Sequence, residues 1–172
     1  MAEIKRFRRV LILCVHCARN TIFYRQGWTG KRPLFAGQLL ITANSNFLDI
    51  AVLEWCKLFA DAKGKHHWAK VVDDGSAFER TLLVDRSLTS DEFETFIKDV
   101  RKYRDRFLAH LDDDETMIIP NLDIIIASVR LLYHTLMSNE HRGFIHDGAA
   151  TLDGDIKAWA REAKDFYERN HS

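Results

Sequence analysis

The sequence predicts an all-α fold, a compact helical bundle within a single domain spanning residues 1–172. Three observations carry this expectation. Apolar residues recur at helical spacing through almost the whole chain, no strict apolar–polar alternation lasts long enough to demand a strand, and two Ser/Thr-x-x-Glu patterns mark helix starts. With 172 residues, 47% of them hydrophobic and only two prolines, there is apolar material for one core. Five or more helices and no sheet are expected.

The first helix spans roughly Lys5 to Gln26, and Gly27 to Arg32 reads as a glycine-bearing turn. The long apolar segment from Leu34 to Ala60 reads as one bent helix or two. The stretches "DAKGKHHW" and "DDGS" mark loops around a short piece near Trp68 to Val72. Ser76 with Glu79, and Thr89 with Glu92, have capping-box spacing, so helices should begin near both, the second running to about Leu111. Pro120 should open the next helix, in keeping with proline's preference for a first turn. A loop with Gly143, Gly148 and Gly154 leads to a terminal helix whose Ile156, Trp159, Ala160, Ala163, Phe166 and Tyr167 form one stripe.

Several function classes recede at this point. The charge-poor stretch from Pro33 to Leu48 is broken by polar residues, so no membrane span is expected, and no export signal is read, which points to the cytoplasm. Cys14, Cys17 and Cys56 are odd in number, arguing against a disulfide framework, and "CVHC" has no second ligand pair for zinc. They read as core residues, as do Trp55, Trp68 and Trp159, with Trp28 less clearly so. Adjacent His66 and His67 diverge as metal ligands and read as loop packing. No metal site and no cofactor is expected. Net charge is zero, yet residues 1–40 hold eight basic residues against the single acid Glu3. Such a run is commonly a solvated helix face, and less commonly a phosphate-facing patch.

The segment "RKYRDRFLAH" poses the sharpest question. At about 100° per residue with Phe93 as zero, Phe96, Ile97, Val100, Phe107, Leu108 and Leu111 fall within roughly 60° of it. Arg104 lies at about 20°, inside that apolar stripe, with Arg106 at about 220° and His110 at about 260°. Burying a lone charge costs several kcal/mol, so Arg104 needs a carboxylate partner such as Asp49 or Glu54, a seam between two chains, or an anion-binding cleft.

"RDRFLAH" resembles the signature of the HEPN superfamily, an arginine followed by a polar residue and then, after a short helical spacing, a histidine. The order of the blocks "FLDIAVLEWCKLFAD", "HHW", the motif, "LD" and a proline-led helix resembles the AbiU-like abortive-infection branch, over about Phe47 to Leu136. The first 40 and last 30 residues carry no such likeness. The resemblance implies a helical bundle that dimerises along the motif helices. It also implies either a metal-independent endoribonuclease of a toxin–antitoxin or phage-defence system, with an antitoxin protein as a further partner, or an inactive module that binds RNA, nucleotide or protein. On this resemblance Arg104, Asp105 and His110 are the catalytic residues, and Arg101, Lys102 and Arg106 help to bind RNA.

The residue types suit that chemistry. Histidine titrates near neutral pH and can move the proton of a 2′-hydroxyl or of the leaving 5′-oxygen. Arginine stays charged and can bind two phosphate oxygens, while Asp105 orients one of the pair. The acidic run Asp112, Asp113, Asp114 and Glu115 opposes it, since acids beside an RNA cleft repel substrate unless they point away; it also reads simply as a solvated loop. A purely structural account stands beside these, with Arg104 paired to an internal acid and His110 favouring a helix C-terminus.

Overall fold

A computed structural model describes residues 2–109, 118–138 and 151–170. Six α-helices lie among them: α1 (Ala2–Gln26), α2 (Gln38–Trp55), α3 (Gly75–Arg86), α4 (Ser90–Tyr103), α5 (Leu122–Met137) and α6 (Leu152–Arg169). The expected all-α bundle is what forms. No helix among the described residues is long and apolar enough to cross a membrane.

Helix α1 is the axis of the bundle, packed against α2, α5 and α6. Its buried face is Phe7, Val10, Cys14, Cys17 and Ala18, and the small side chains let α2 come close enough for the Cys17 thiol to meet the Ala51 carbonyl at 3.3 Å. All three cysteines are buried and free. Burial pushes the Cys14 and Cys17 thiols above their ordinary range, since a thiolate there would lose its hydration. Trp55, fully buried at the end of α2, donates from Nε1 to Ser128 Oγ of α5 at 2.8 Å, so its one polar atom is satisfied inside the core.

The segment expected to contain no strand holds one small exception. Trp28–Thr29 pairs antiparallel with Arg32–Pro33, closed by a two-residue loop with Gly30 at φ 59°. Glycine supplies the left-handed backbone that a two-residue hairpin needs, so the turn from Gly27 to Arg32 is a minimal hairpin. Gly27 itself is wedged against α2: a Cβ there would sit 2.5 Å from Asn44 Nδ2. Asn44, buried at 1% exposure, donates to the Tyr24 carbonyl (3.1 Å) and to the Tyr167 hydroxyl (2.9 Å), and accepts from Trp28 Nε1 (2.9 Å). One buried amide thus joins α1, the hairpin, α2 and α6.

Other boundaries shift for local reasons. Helix α1 begins at Ala2 rather than Lys5. The box expected at Ser76 is displaced, because Asp74 is the cap and accepts from Ala77 N at 2.9 Å. The Thr89–Glu92 box forms with both reciprocal bonds. Pro120 stands one residue outside the cap Asn121, whose side chain accepts from Asp123 N at 3.0 Å. Gly154 belongs to the first turn of α6, donating to Thr151 Oγ1 at 3.1 Å. On α6 the inward positions are Leu152, Ala163 and Tyr167, while Phe166 turns out to solvent at 48% exposure. Gly143 and Gly148 lie outside the described residues.

Candidate functional site

The apolar segment after Pro33 resolves as one helix whose last turn changes pitch. Helix α2 runs directly into a π-helical turn, Cys56–Ala60, closed by the bond from Asp61 N to Cys56 O at 2.9 Å. Helix α4 does the same, passing into a π-helical turn at Arg104–Ala109. π-Helical turns are rare and often coincide with functional sites. These two are joined side chain to side chain, because Arg104 opens one and Asp61 closes the other.

Arg104 Nη1 donates to Asp61 Oδ1 at 2.8 Å and Nε donates to Asp105 Oδ1 at 2.8 Å. The arginine side chain is 22% exposed, Asp61 40% and Asp105 57%. Asp105 first, and Asp61 with it, hold the guanidinium charged more firmly than in water, against the opposing effect of burial. Of the partners expected on sequence grounds, neither Asp49 nor Glu54 is used. Asp49 accepts from Tyr103 Oη at 3.1 Å, and Glu54 lies 3.4 Å from Lys57. Burial raises the Asp49 carboxyl, while the tyrosine bond opposes that rise, and burial likewise raises Tyr103.

The position of Arg104 corrects the helical-wheel reading. The buried residues of α4 are Phe93, Phe96, Val100 and Tyr103, whose mean direction is about −40° on the same wheel, so Arg104 stands about 60° off centre, at the stripe's edge. The earlier centre leaned on residues beyond Tyr103, where the backbone no longer advances in α-helical steps. Arg104 therefore reaches partial solvent without leaving its helix.

Cys56 lies behind the pair, buried, its thiol pushed up to about 12 chiefly by loss of hydration, with Arg104 pulling the other way. It is inert packing. His67 caps a short 3₁₀ turn (Trp68–Lys70), as the packing reading of "HHW" requires. Its Nε2 lies 3.1 Å from the Phe59 carbonyl and its Nδ1 accepts from Ala69 N at 3.4 Å, the pattern of a neutral ring with the proton on Nε2. Burial lowers its protonation range, and Asp61 and Arg101 both act on it electrostatically, so it flanks the pair. Arg101 and Arg106 are half-buried and Lys102 is exposed, with Arg106 engaged rather than free. His110 and the acidic run Asp112 to Glu115 lie outside the described residues. Among the described residues no three His, Cys, Asp or Glu side chains gather as a metal site needs.

Among the described residues, two of the five N–H groups of Arg104 are used, in these bonds, which leaves three for an anion at the partly open edge. The residue missed from sequence is Asp61. It is the first acid after the apolar run, the last letter of "FLDIAVLEWCKLFAD", but its pairing depends on two helix ends meeting, which no local pattern encodes. Comparison with family models, characterised proteins and solved structures finds no match to this chain.

Proposed function

We propose that this chain is a HEPN-like, metal-independent endoribonuclease that works in the cytoplasm as a two-fold dimer, in a toxin–antitoxin or phage-defence setting. The observation that supports the reading best is the state of Arg104: charged, oriented by Asp61 and Asp105, partly open to solvent, with three N–H groups left for a phosphate. An arginine held in this way is preorganised to stabilise charge that develops on the phosphoryl oxygens. His110 would take the proton of the 2′-hydroxyl as that oxygen attacks phosphorus, or give a proton to the departing 5′-oxygen, leaving a 2′,3′-cyclic phosphate. Arg101 and Lys102, on the preceding turn, would meet neighbouring phosphates, with Arg106 as a further cation.

A second reading is favoured by the same two acids. Asp61 and Asp105 supply two negative charges to one arginine, which fits a non-cleaving HEPN-like module that uses the pair to fix its helix ends and binds RNA, nucleotide or a partner protein. Incubation with mixed RNA in chelator distinguishes the two. The enzyme yields 2′,3′-cyclic phosphate ends that disappear in His110→Ala, whereas the module leaves the RNA intact.

A further inference from the structure

The basic run at the start of the sequence acquires a second component in three dimensions. Arg6 and Arg9 leave the first turns of α1, Lys57 leaves the π-helical turn after α2, and Lys65 leaves the loop that follows; all four are exposed. Helix α1 runs antiparallel to α2, with Tyr24 meeting Asn44 and Cys17 meeting Ala51, and it packs against that π-helical turn, so its basic N-terminal end lies beside the loop. The meeting point is His66. Burial lowers its protonation range most, and the next four influences are all cations: Lys65, Arg9, Lys57 and Arg6. Among the described residues Arg6, Arg9 and Lys65 have no carboxylate at ion-pairing distance, and only Lys57 has one, Glu54 at 3.4 Å.

We propose that Arg6, Arg9, Lys57 and Lys65, gathered around His66, form a binding surface for the phosphodiester backbone of a single nucleic-acid strand. Three arguments select this occupant. A chain of zero net charge has gathered cations from three separate segments on one face, of which only Lys57 has a carboxylate partner, so most of the matching negative charge must come from outside it. The cations are long, exposed side chains spread over a helix, a turn and a loop, which suits a row of phosphates more than one compact anion. A membrane surface fits less well. Ile4, the most exposed apolar side chain of α1 at 62%, lies about 160° round the helix from Arg6 and about 140° from Arg9, whereas an interfacial helix needs its apolar stripe facing the bilayer beneath the cations. The same loop starts at Asp61, whose carboxylate holds Arg104, so a strand bound along it runs towards Arg104. The surface stands whether or not that site cleaves.

The test uses the full chain and a fluorescent oligoribonucleotide with 2′-O-methyl sugars, which keeps the phosphates and cannot be cleaved through a 2′-hydroxyl. Anisotropy titrations across about 50–200 mM salt should give a log–log slope that contains about −0.7 for each phosphate neutralised, about −2.8 for four. The combined variant Arg6→Ser, Arg9→Ser, Lys57→Gln, Lys65→Gln should lose at least tenfold in affinity and flatten the slope by that amount. A control with Lys157→Gln, Arg161→Gln and Lys164→Gln, exposed on α6, should bind as the parent does. Should the combined variant fail to fold by circular dichroism, Arg9→Glu and Lys65→Glu made singly should each weaken binding and flatten the slope by about 0.7. The proposal is overturned if the parent does not bind the strand, or if the variant and the α6 control weaken equally. It is equally overturned if the parent prefers anionic vesicles or polyglutamate to the oligonucleotide at the same salt.

Discussion

Replacing Arg104 by methionine removes the guanidinium while keeping most of the side-chain volume, and the geometry of the pair fixes what this should cost. The arginine is 22% exposed but its partners Asp61 and Asp105 are 40% and 57% exposed, so both stranded carboxylates can turn to water. The penalty of 3–5 kcal/mol for breaking a buried pair therefore does not apply. Partly exposed pairs contribute about 0.2–1 kcal/mol each, giving a loss of about 0.4–2 kcal/mol for the two. For a chain of this size that is a fall in Tm of about 1–8 °C. Cleavage should fall much further, by about 10²-fold or more, as when a preorganised donor to a developing oxyanion is removed. Thermal melts of the parent, Arg104→Met, Asp61→Asn and the double variant give a coupling energy, and release of cyclic-phosphate ends gives the activity. If each single variant loses more than about 3 kcal/mol and the coupling accounts for most of it, the pair is a structural pillar and the reasoning from exposure fails. If Arg104→Met cleaves like the parent, Arg104 has no part in the chemistry.

Three further outcomes follow from the packing. Thr89→Ala removes the Oγ1 that accepts from Glu92 N, so urea melts should show a loss of about 1 kcal/mol. Gly27→Ala pushes a methyl group to within 2.5 Å of Asn44 Nδ2 and should lower stability by about 1–3 kcal/mol in the same assay, with no change expected if the hairpin can simply lift away. His66 and His67 both have protonation ranges held below that of a free histidine, so the unfolded chain binds more protons than the folded one as pH falls below about 6.5. Their contribution to stability is complete above that pH and declines below it, and His67→Gln should show a shallower decline in pH-resolved melts than the parent.

Much of this fold was legible because its helices obey local rules. Phe93, Phe96 and Val100 recur at helical spacing behind the Thr89–Glu92 box, and α4 begins where the box says. The burial of Cys14 and Cys17 follows from their spacing on one face of α1. The misses are positions where two local solutions compete. Asp74 and Ser76 can both cap a helix, and the side chain that reaches Ala77 N prevails. The glycine-bearing turn and a two-residue hairpin differ only in whether Trp28 and Pro33 come into register, and that is helped by the Trp28 ring finding Asn44 on another helix.

Arg104 and Asp105 stood out in the sequence, but Asp61 and the geometry that joins it to Arg104 did not, and the reason is the pitch of the backbone. A helical wheel assumes one rotation per residue along its whole length. Both helices that build the site abandon that rotation at the point where they matter, α2 after Trp55 and α4 after Tyr103. Arg104 therefore looked central when Phe107, Leu108 and Leu111 were counted with Phe93, and stands at the edge when only the α-helical turns are counted. The same change of pitch lets the end of the first π-helical turn deliver Asp61 to Arg104, a pairing between residues 43 apart that neither helix announces. A wider turn places its closing residue off the regular helical track, and here that residue carries the charge that the arginine needed. The puzzle of an arginine on an apolar stripe thus has a physical answer at the level of structure: Arg104 stands where α4 changes pitch, at the edge of that helix's buried face, and there the charge meets its counterion Asp61.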